Sequence, residues 1–229
     1  MSYKILDLFC GAGGAGRGYM DAGFDVTGVD IAAQPDYPGT FIQGDALAYL
    51  AAHGHGYDAI HASPPCQASS ALSKGTNKGN YYLNLIPATR ALLALHNVPT
   101  VIENVQGSDL RRDLTLCGEM FGLGVIRHRY FEVSGFAALP TPHKPHRGRV
   151  AGWRHGEWFD GPYFAVYGDG GGKGTVAQWQ DAMDMHWTDN RKSIAEAIPK
   201  AYTRFIGGQI MQYLESQQAI NELRDEVAA

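Results

Sequence analysis

The stretch that decides the fold is KILDLFCGAGGAG, residues 4–16. Its first six residues are a short, largely apolar run, and they predict a buried strand. Gly11, Gly13 and Gly16 follow in the spacing G-x-G-x-x-G, and a helix is expected over residues 15–22. A strand, a glycine turn and a helix in this order let the backbone approach a ligand closely. Asp30 ends the next expected strand, residues 25–30, about 20 residues further on, where a carboxylate reaches ribose hydroxyls. The pattern is compatible with NAD, FAD or S-adenosylmethionine and does not choose among them. Plain glycine packing between strand and helix accounts for it less well, because the acid is also in place.

Working outward, residues 41–43 and 57–62 read as further strands. Asp45 caps a helix over ALAYLAAH. Residues 67–82 are polar and rich in Ser, Gly, Asn and Lys; a loop of that length inside a domain is usually functional. Residues 83–96 have helical spacing, with Pro87 in the tolerated first turns, and residues 100–103 form a fifth strand. Strands alternating with helices predict βαβ units and a mostly parallel sheet. The expected fold class is therefore α/β, a Rossmann-like domain with a mixed, mostly parallel sheet and a small loop-rich insertion. Four segments are expected: a catalytic and cofactor-binding core over 1–135, an insertion over 136–174, helices returning to the core over 175–216, and a frayed tail over 217–229.

Composition narrows the class. A chain of 229 residues with 45% hydrophobic residues can build one sizeable core. No apolar run is long enough for a membrane span, and no charged leader precedes an apolar stretch, so a cytoplasmic protein without a membrane partner is expected. Cys10, Cys66 and Cys117 are odd in number and lack metal-ligand spacing, which argues for a reducing compartment and no metal. The net charge of −4 is unevenly spread. Residues 127–155 hold six Lys and Arg against one acid. Such a segment suits a phosphate-facing surface or, equally, a solvated basic loop.

Two further stretches carry chemistry. SPPCQ, residues 63–67, follows a strand at the edge where open α/β sheets bind ligands. Cys66 lies there between Pro65 and Gln67 and fits poorly as core, whereas Cys10 and Cys117 read as packing residues. ENV, residues 103–105, ends the neighbouring strand. Glu103 leaves an apolar run, TVI, so burial is expected to raise its pKa and let it hold a proton. Arg127 and Arg129 flank His128, and alternation would put both cations on one side of a short strand.

DLFCGAGG, PPCQ, ENV and R-x-R in this order resemble the cytosine-5 DNA methyltransferases, over most of residues 3–132 and again near 194–208. The overall form is similar to the compact phage and bacterial members. The resemblance implies S-adenosylmethionine as cofactor, with Phe9 stacking on its adenine, Asp45 accepting from the adenine amino group, and Gly11, Gly13, Asp30 and Pro65 completing the pocket. It implies Cys66 as the nucleophile, Glu103 as proton donor to the base, and Arg129 with Arg127 holding the base oxygen or a phosphate. DNA is the implied partner, met by Gln67, Ser70 and Lys74 in a closing loop and by Arg147, Arg149 and Arg154 in the insertion, with the protein acting as a monomer. The pattern departs from the family at Val125, where a glutamine is usual, and at Glu196 and Lys200, where an asparagine and a proline are usual. An RNA cytosine-5 methyltransferase, an inactive regulator and a dehydrogenase are the alternatives. The last leaves PPCQ and ENV unexplained.

Overall fold

The computed structural model describes residues 2–65, 83–167 and 174–228, and for Trp153 and Arg154 the backbone alone. Cys66, Gln67, Ser70 and Lys74 lie outside the described residues, as does the loop expected over 67–82. In chain order the elements are β1 (Lys4–Leu8), α1 (Gly14–Asp21), β2 (Asp25–Asp30), β3 (Thr40–Gln43), α2 (Ala46–His53), β4 (Ala59–Ala62), α3 (Ile86–Leu93), β5 (Thr100–Val105), β6 (Leu114–Leu116), β7 (Arg129–Ser134), β8 (Gly152–Arg154), β9 (Glu157–Phe159), α4 (Val176–Met183), α5 (Arg191–Glu196) and α6 (Lys200–Ala228).

Seven strands form one sheet in the order β3-β2-β1-β4-β5-β7-β6. β3, β2, β1, β4 and β5 run parallel, and β7 is antiparallel to both of its neighbours. The mixed, mostly parallel sheet expected from the sequence is present. Alternation along the strands supplies its two faces. Ile5, Ala59 and Val101 pack on one face with Tyr19 of α1 and Tyr202, Ile206 and Ile210 of α6. Leu6, Leu8, Ile60, Ala62 and Ile102 pack on the other with Leu50 of α2 and Ile86 and Leu93 of α3. Helices on both faces explain why the central strands are apolar at nearly every position.

The second half departs from expectation in two places. The last helix does not stop near residue 216: α6 continues through Ala228, over the segment expected to fray. Its first half is anchored by buried Tyr202, Ile206 and Ile210, and the exposed remainder is rich in Gln, Glu, Leu and Ala, which prolong a helix once it has started. Tyr3 also donates to Gln218 at 2.8 Å. The insertion carries a β8–β9 hairpin and is better tied to the core than its Gly and Pro content implied. Tyr163, Ala165 and Val166 are buried at its exit, and Val166 joins a third cluster with Trp179 and Met183 of α4 and Ile194 of α5.

Candidate active site

The parallel strands end at one edge of the sheet, and the candidate residues collect there. β1 leads into the glycine turn, β4 into Ser63-Pro64-Pro65, and β5 ends on Glu103-Asn104-Val105. β7 runs the other way, so its first residue, Arg129, starts at the same edge opposite Val105. Glu103 pairs with Phe131, and Glu103 and Arg129 become diagonal neighbours on one face. Arg129 Nε lies 3.0 Å from the Glu103 carboxylate.

Behind this pair runs a buried polar chain. Tyr19 Oη of α1 and His61 Nδ1 of β4 are 3.0 Å apart, and His61 Nε2 and Ser63 Oγ are 2.9 Å apart. Ser63 in turn hydrogen-bonds Glu103. Burial holds His61 neutral, pulling its pKa down to about 3. Burial likewise raises the pKa of Glu103, outweighing Arg129, the Ser63 hydroxyl and Arg127, which all favour the carboxylate. The result is a carboxyl that keeps its proton more readily than an exposed one. Asn104 fixes the adjoining loop: its Nδ2 donates to the Pro64 carbonyl at 2.8 Å. The backbone two residues before Cys66 is thereby tied to the strand that carries Glu103.

Arg127 and Arg129 do not act as a matched pair. Arg127 precedes β7 and is buried, donating to the carbonyls of Val166 at 2.7 Å and Ala195 at 2.6 Å. It fastens the return segments to the site, while Arg129 faces Glu103. The alternation argument failed because residue 127 lies outside the strand.

The glycine turn has room for a ligand. Phe9, Gly11 and Gly13 adopt left-handed φ values of 57°, 48° and 84°. Among the described residues, a Cβ at Gly11 would meet nothing within 4 Å, whereas one at Gly13 would strike Pro38. None of the described residues crowds Gly11, and Gly13 is required by both conformation and packing. Asp30 accepts from the N–H of Gly11 at 3.0 Å and of Ala32 at 2.9 Å. A carboxylate has about four lone-pair sites, so acceptor capacity remains for a ribose diol. Asp45 is the N-cap of α2, accepting from the Ala48 N–H at 2.8 Å, and is exposed at the same sheet edge. Trp187 closes the turn from behind, donating to the Ala12 carbonyl at 2.9 Å. The segment with Glu196 and Lys200 also returns here, bringing the Ile198 carbonyl against Gly14. These features fit a nucleoside cofactor.

The basic residues of the insertion are partly committed within the protein. Arg147 reaches Glu119 at 2.6 Å, and the Arg149 guanidinium lies 4.5 Å from the Phe159 ring centre. The Arg154 side chain is outside what is described.

No protein-family model matches the chain, and no curated protein sequence matches it. Solved structures do. The S. pombe Dnmt2 methyltransferase aligns with a TM-score of 0.59 at 13% identity, covering 93% of this chain and 99% of that one. The Entamoeba histolytica methyltransferase EhMeth aligns at 0.53 and 12% identity, covering 95% and 99%. A structure described as a DNA modification methyltransferase encoded within an E. coli prophage is 24% identical over 58% of this chain, with a TM-score of 0.44, and the chain spans 46% of its length.

The chain has the fold of these methyltransferases. Within this methyltransferase fold, sequence reasoning overlooked Asp7, Tyr19, His61 and Ser63. A signal was present: Asp7 and His61 interrupt the apolar strands KILDLF and AIHA, and both are fully buried. A polar residue inside a two-sided buried strand needs a partner.

Asp7 gives a measurable consequence. Burial pushes its pKa up to about 7, although the Tyr37 hydroxyl (3.1 Å) and the Gly16 N–H favour the carboxylate. Its unfolded value is about 3.9. Between those values the folded state binds more protons, so this group makes stability fall as pH rises through the window. Asp7→Asn stays neutral throughout. Relative to that variant, the parent methyltransferase fold should lose on the order of 4 kcal/mol between pH 4 and 7 and nothing further above pH 8. Urea unfolding across that range measures the gap; parallel stability curves would show that Asp7 is ionised when folded.

Proposed function

We propose that this protein transfers a methyl group from S-adenosylmethionine to carbon 5 of cytosine in DNA, with Cys66 as the attacking nucleophile. The observation that carries the reading is the buried Glu103 carboxyl, biased toward its protonated form and flanked by Arg129, at the sheet edge where β4 delivers Pro64 and Pro65 to Cys66.

Carbon 5 of cytosine is too weak a nucleophile to be methylated unaided. Addition of the Cys66 thiolate to carbon 6 pushes an electron pair toward carbon 5 and makes it nucleophilic. Glu103 donates its proton, or a strong hydrogen bond, to ring nitrogen 3 and takes up the charge that the addition creates. Arg129, held by Glu103, is the cation available to the base oxygen. S-adenosylmethionine, held by residues of the glycine turn and Asp30, would supply an electrophilic methyl group. Once carbon 5 is methylated, a base removes its proton, and the thiolate departs with its bonding electrons. The stacked duplex hides carbon 6, so the cytosine must swing out of the helix.

Phe9, Gly11, Asp30, Asp45 and Pro65 are the proposed cofactor contacts. Asp30→Ala should weaken S-adenosylmethionine binding by about 1.5–3 kcal/mol, as expected for a lost hydrogen bond to a charged group. Titration calorimetry reads this directly. Unchanged affinity would remove Asp30 from the pocket, and preferential binding of NAD would favour the dehydrogenase. Tritiated cofactor offered with DNA or with tRNA tests the acceptor: label in DNA supports the proposal, and label confined to tRNA replaces it with the RNA enzyme.

A further inference from the structure

Four side chains that the methyl-transfer reading does not use converge beside it. Cys117 follows β6, His128 immediately precedes β7, and His143 and His146 come from the start of the insertion. Their potential ligand atoms all lie within 4.8 Å of one another. His128 Nε2 and His143 Nε2 are 3.1 Å apart. The three imidazole rings stand mutually 4.9–5.2 Å apart, centre to centre.

A hydrogen-bonded histidine cluster would explain the rings but not the rest of the arrangement. A tetrahedral zinc ion takes nitrogen at 2.0–2.1 Å and sulfur at 2.3 Å, which places its ligand atoms about 3.3–3.7 Å apart. The His128–His143 separation is already close to that spacing, and the full spread of 4.8 Å needs only a small contraction. His146 Nδ1 is bound to the Glu119 carboxylate at 2.7 Å. That contact leaves Nε2 for the cluster, and a carboxylate on the far nitrogen is the usual support of a metal-bound imidazole. The Cys117 sulfur is buried and accepts from the backbone N–H groups of Glu119, Arg127 and Gly118, which fix its position. His143 and His146 each follow a proline in PHKPH, residues 142–146, which restricts the backbone that presents them.

We infer that Cys117, His128, His143 and His146 bind one divalent zinc-class ion in a closed tetrahedral site that clamps the insertion to the strand bearing Arg129. One sulfur and three nitrogens form a soft, borderline donor set that favours zinc over magnesium or calcium. Four protein ligands leave no open position, so the site is structural. Binding exchanges the thiol proton of Cys117, and any proton shared by the imidazoles, for the metal; those protons go to solvent. The clamp reaches the active site through His128, whose carbonyl accepts from Arg129 Nη1 at 2.9 Å.

The full chain, grown with zinc and dialysed against metal-free buffer, should retain about one zinc per molecule by elemental analysis. Metal-free protein titrated with Co²⁺ alone should develop a thiolate-to-cobalt charge-transfer band and the intense visible bands of a tetrahedral ion. Cys117 is a core residue, and Cys117→Ser alone could simply unfold. His143 is exposed, so His143→Ala should keep its far-ultraviolet circular dichroism while binding Co²⁺ at least about tenfold more weakly. Glu119→Gln should weaken binding by about 10–100-fold. Zinc should raise the melting temperature of the parent and not of folded His143→Ala. Parent protein without stoichiometric zinc and without a cobalt spectrum would overturn the inference, as would a His143→Ala variant that binds Co²⁺ like the parent. None of these readouts depends on methyl transfer.

Discussion

DNA carrying 5-fluorocytosine in place of cytosine should become covalently attached to this protein when S-adenosylmethionine is present, and Cys66→Ala should abolish both attachment and turnover. Fluorine at carbon 5 cannot leave as a proton does, so the reaction stops after methyl transfer with the thioether bond intact. In the sequence Cys66 lies between Pro65 and Gln67 after an expected strand and fits poorly as packing. Removing a covalent nucleophile should lower turnover by on the order of 10³-fold or more. Binding of S-adenosylmethionine should survive, because the glycine turn and Asp30 belong to other strands. Denaturing gel electrophoresis shows the cross-link as a mobility shift. A Cys66→Ala protein that still methylates at the parent rate would remove the covalent mechanism altogether.

Glu103→Gln should lower the turnover number by about 10²–10⁴-fold while leaving the fold intact. Glutamine matches the shape of Glu103, and its amide oxygen can accept from Ser63 and Arg129, but it has no acidic proton to transfer. The sign of the pH effect follows from burial, which raises the Glu103 pKa above the ordinary carboxylate value. The proton-donating form exists below that pKa and is lost as pH rises through it. The parent should therefore show an alkaline limb in turnover that Glu103→Gln lacks, set against an acid limb from protonation of the Cys66 thiolate. Single-turnover rates across the pH range separate the two limbs. A variant within about threefold of the parent, with the same profile, would mean that the carboxyl only orients Arg129.

The sheet was legible because the strands alternate or run apolar over lengths that suit no helix, and because glycines and prolines punctuate them. The edge position of Glu103, and of Pro64 and Pro65 at the end of β4, followed from that order alone. The role of Arg127 did not, since a two-residue alternation holds only inside a strand and β7 begins at Arg129. The buried relay through Tyr19, His61 and Ser63 was missed because its members come from α1, β4 and the turn after β4. No local spacing joins them, although a histidine within AIHA was itself a hint. Cys117 is buried, in keeping with its reading as a packing residue, but its three imidazole neighbours were not foreseen: they are 11, 26 and 29 residues away in sequence, outside any familiar ligand spacing, and only the return of the insertion past β7 assembles them. The continuation of α6 past residue 216 was misjudged from charge, where intrinsic helix preference and an anchored first half decide the outcome.

The most direct test of the central claim is mass spectrometry of the nucleosides released from DNA treated with this protein and S-adenosylmethionine bearing a deuterated methyl group. The account predicts 5-methyldeoxycytidine carrying the three deuterium atoms, and none from protein with Cys66→Ala. Label found on the exocyclic nitrogen of cytosine or on adenine would contradict it, and so would DNA left unlabelled by protein shown to bind the cofactor.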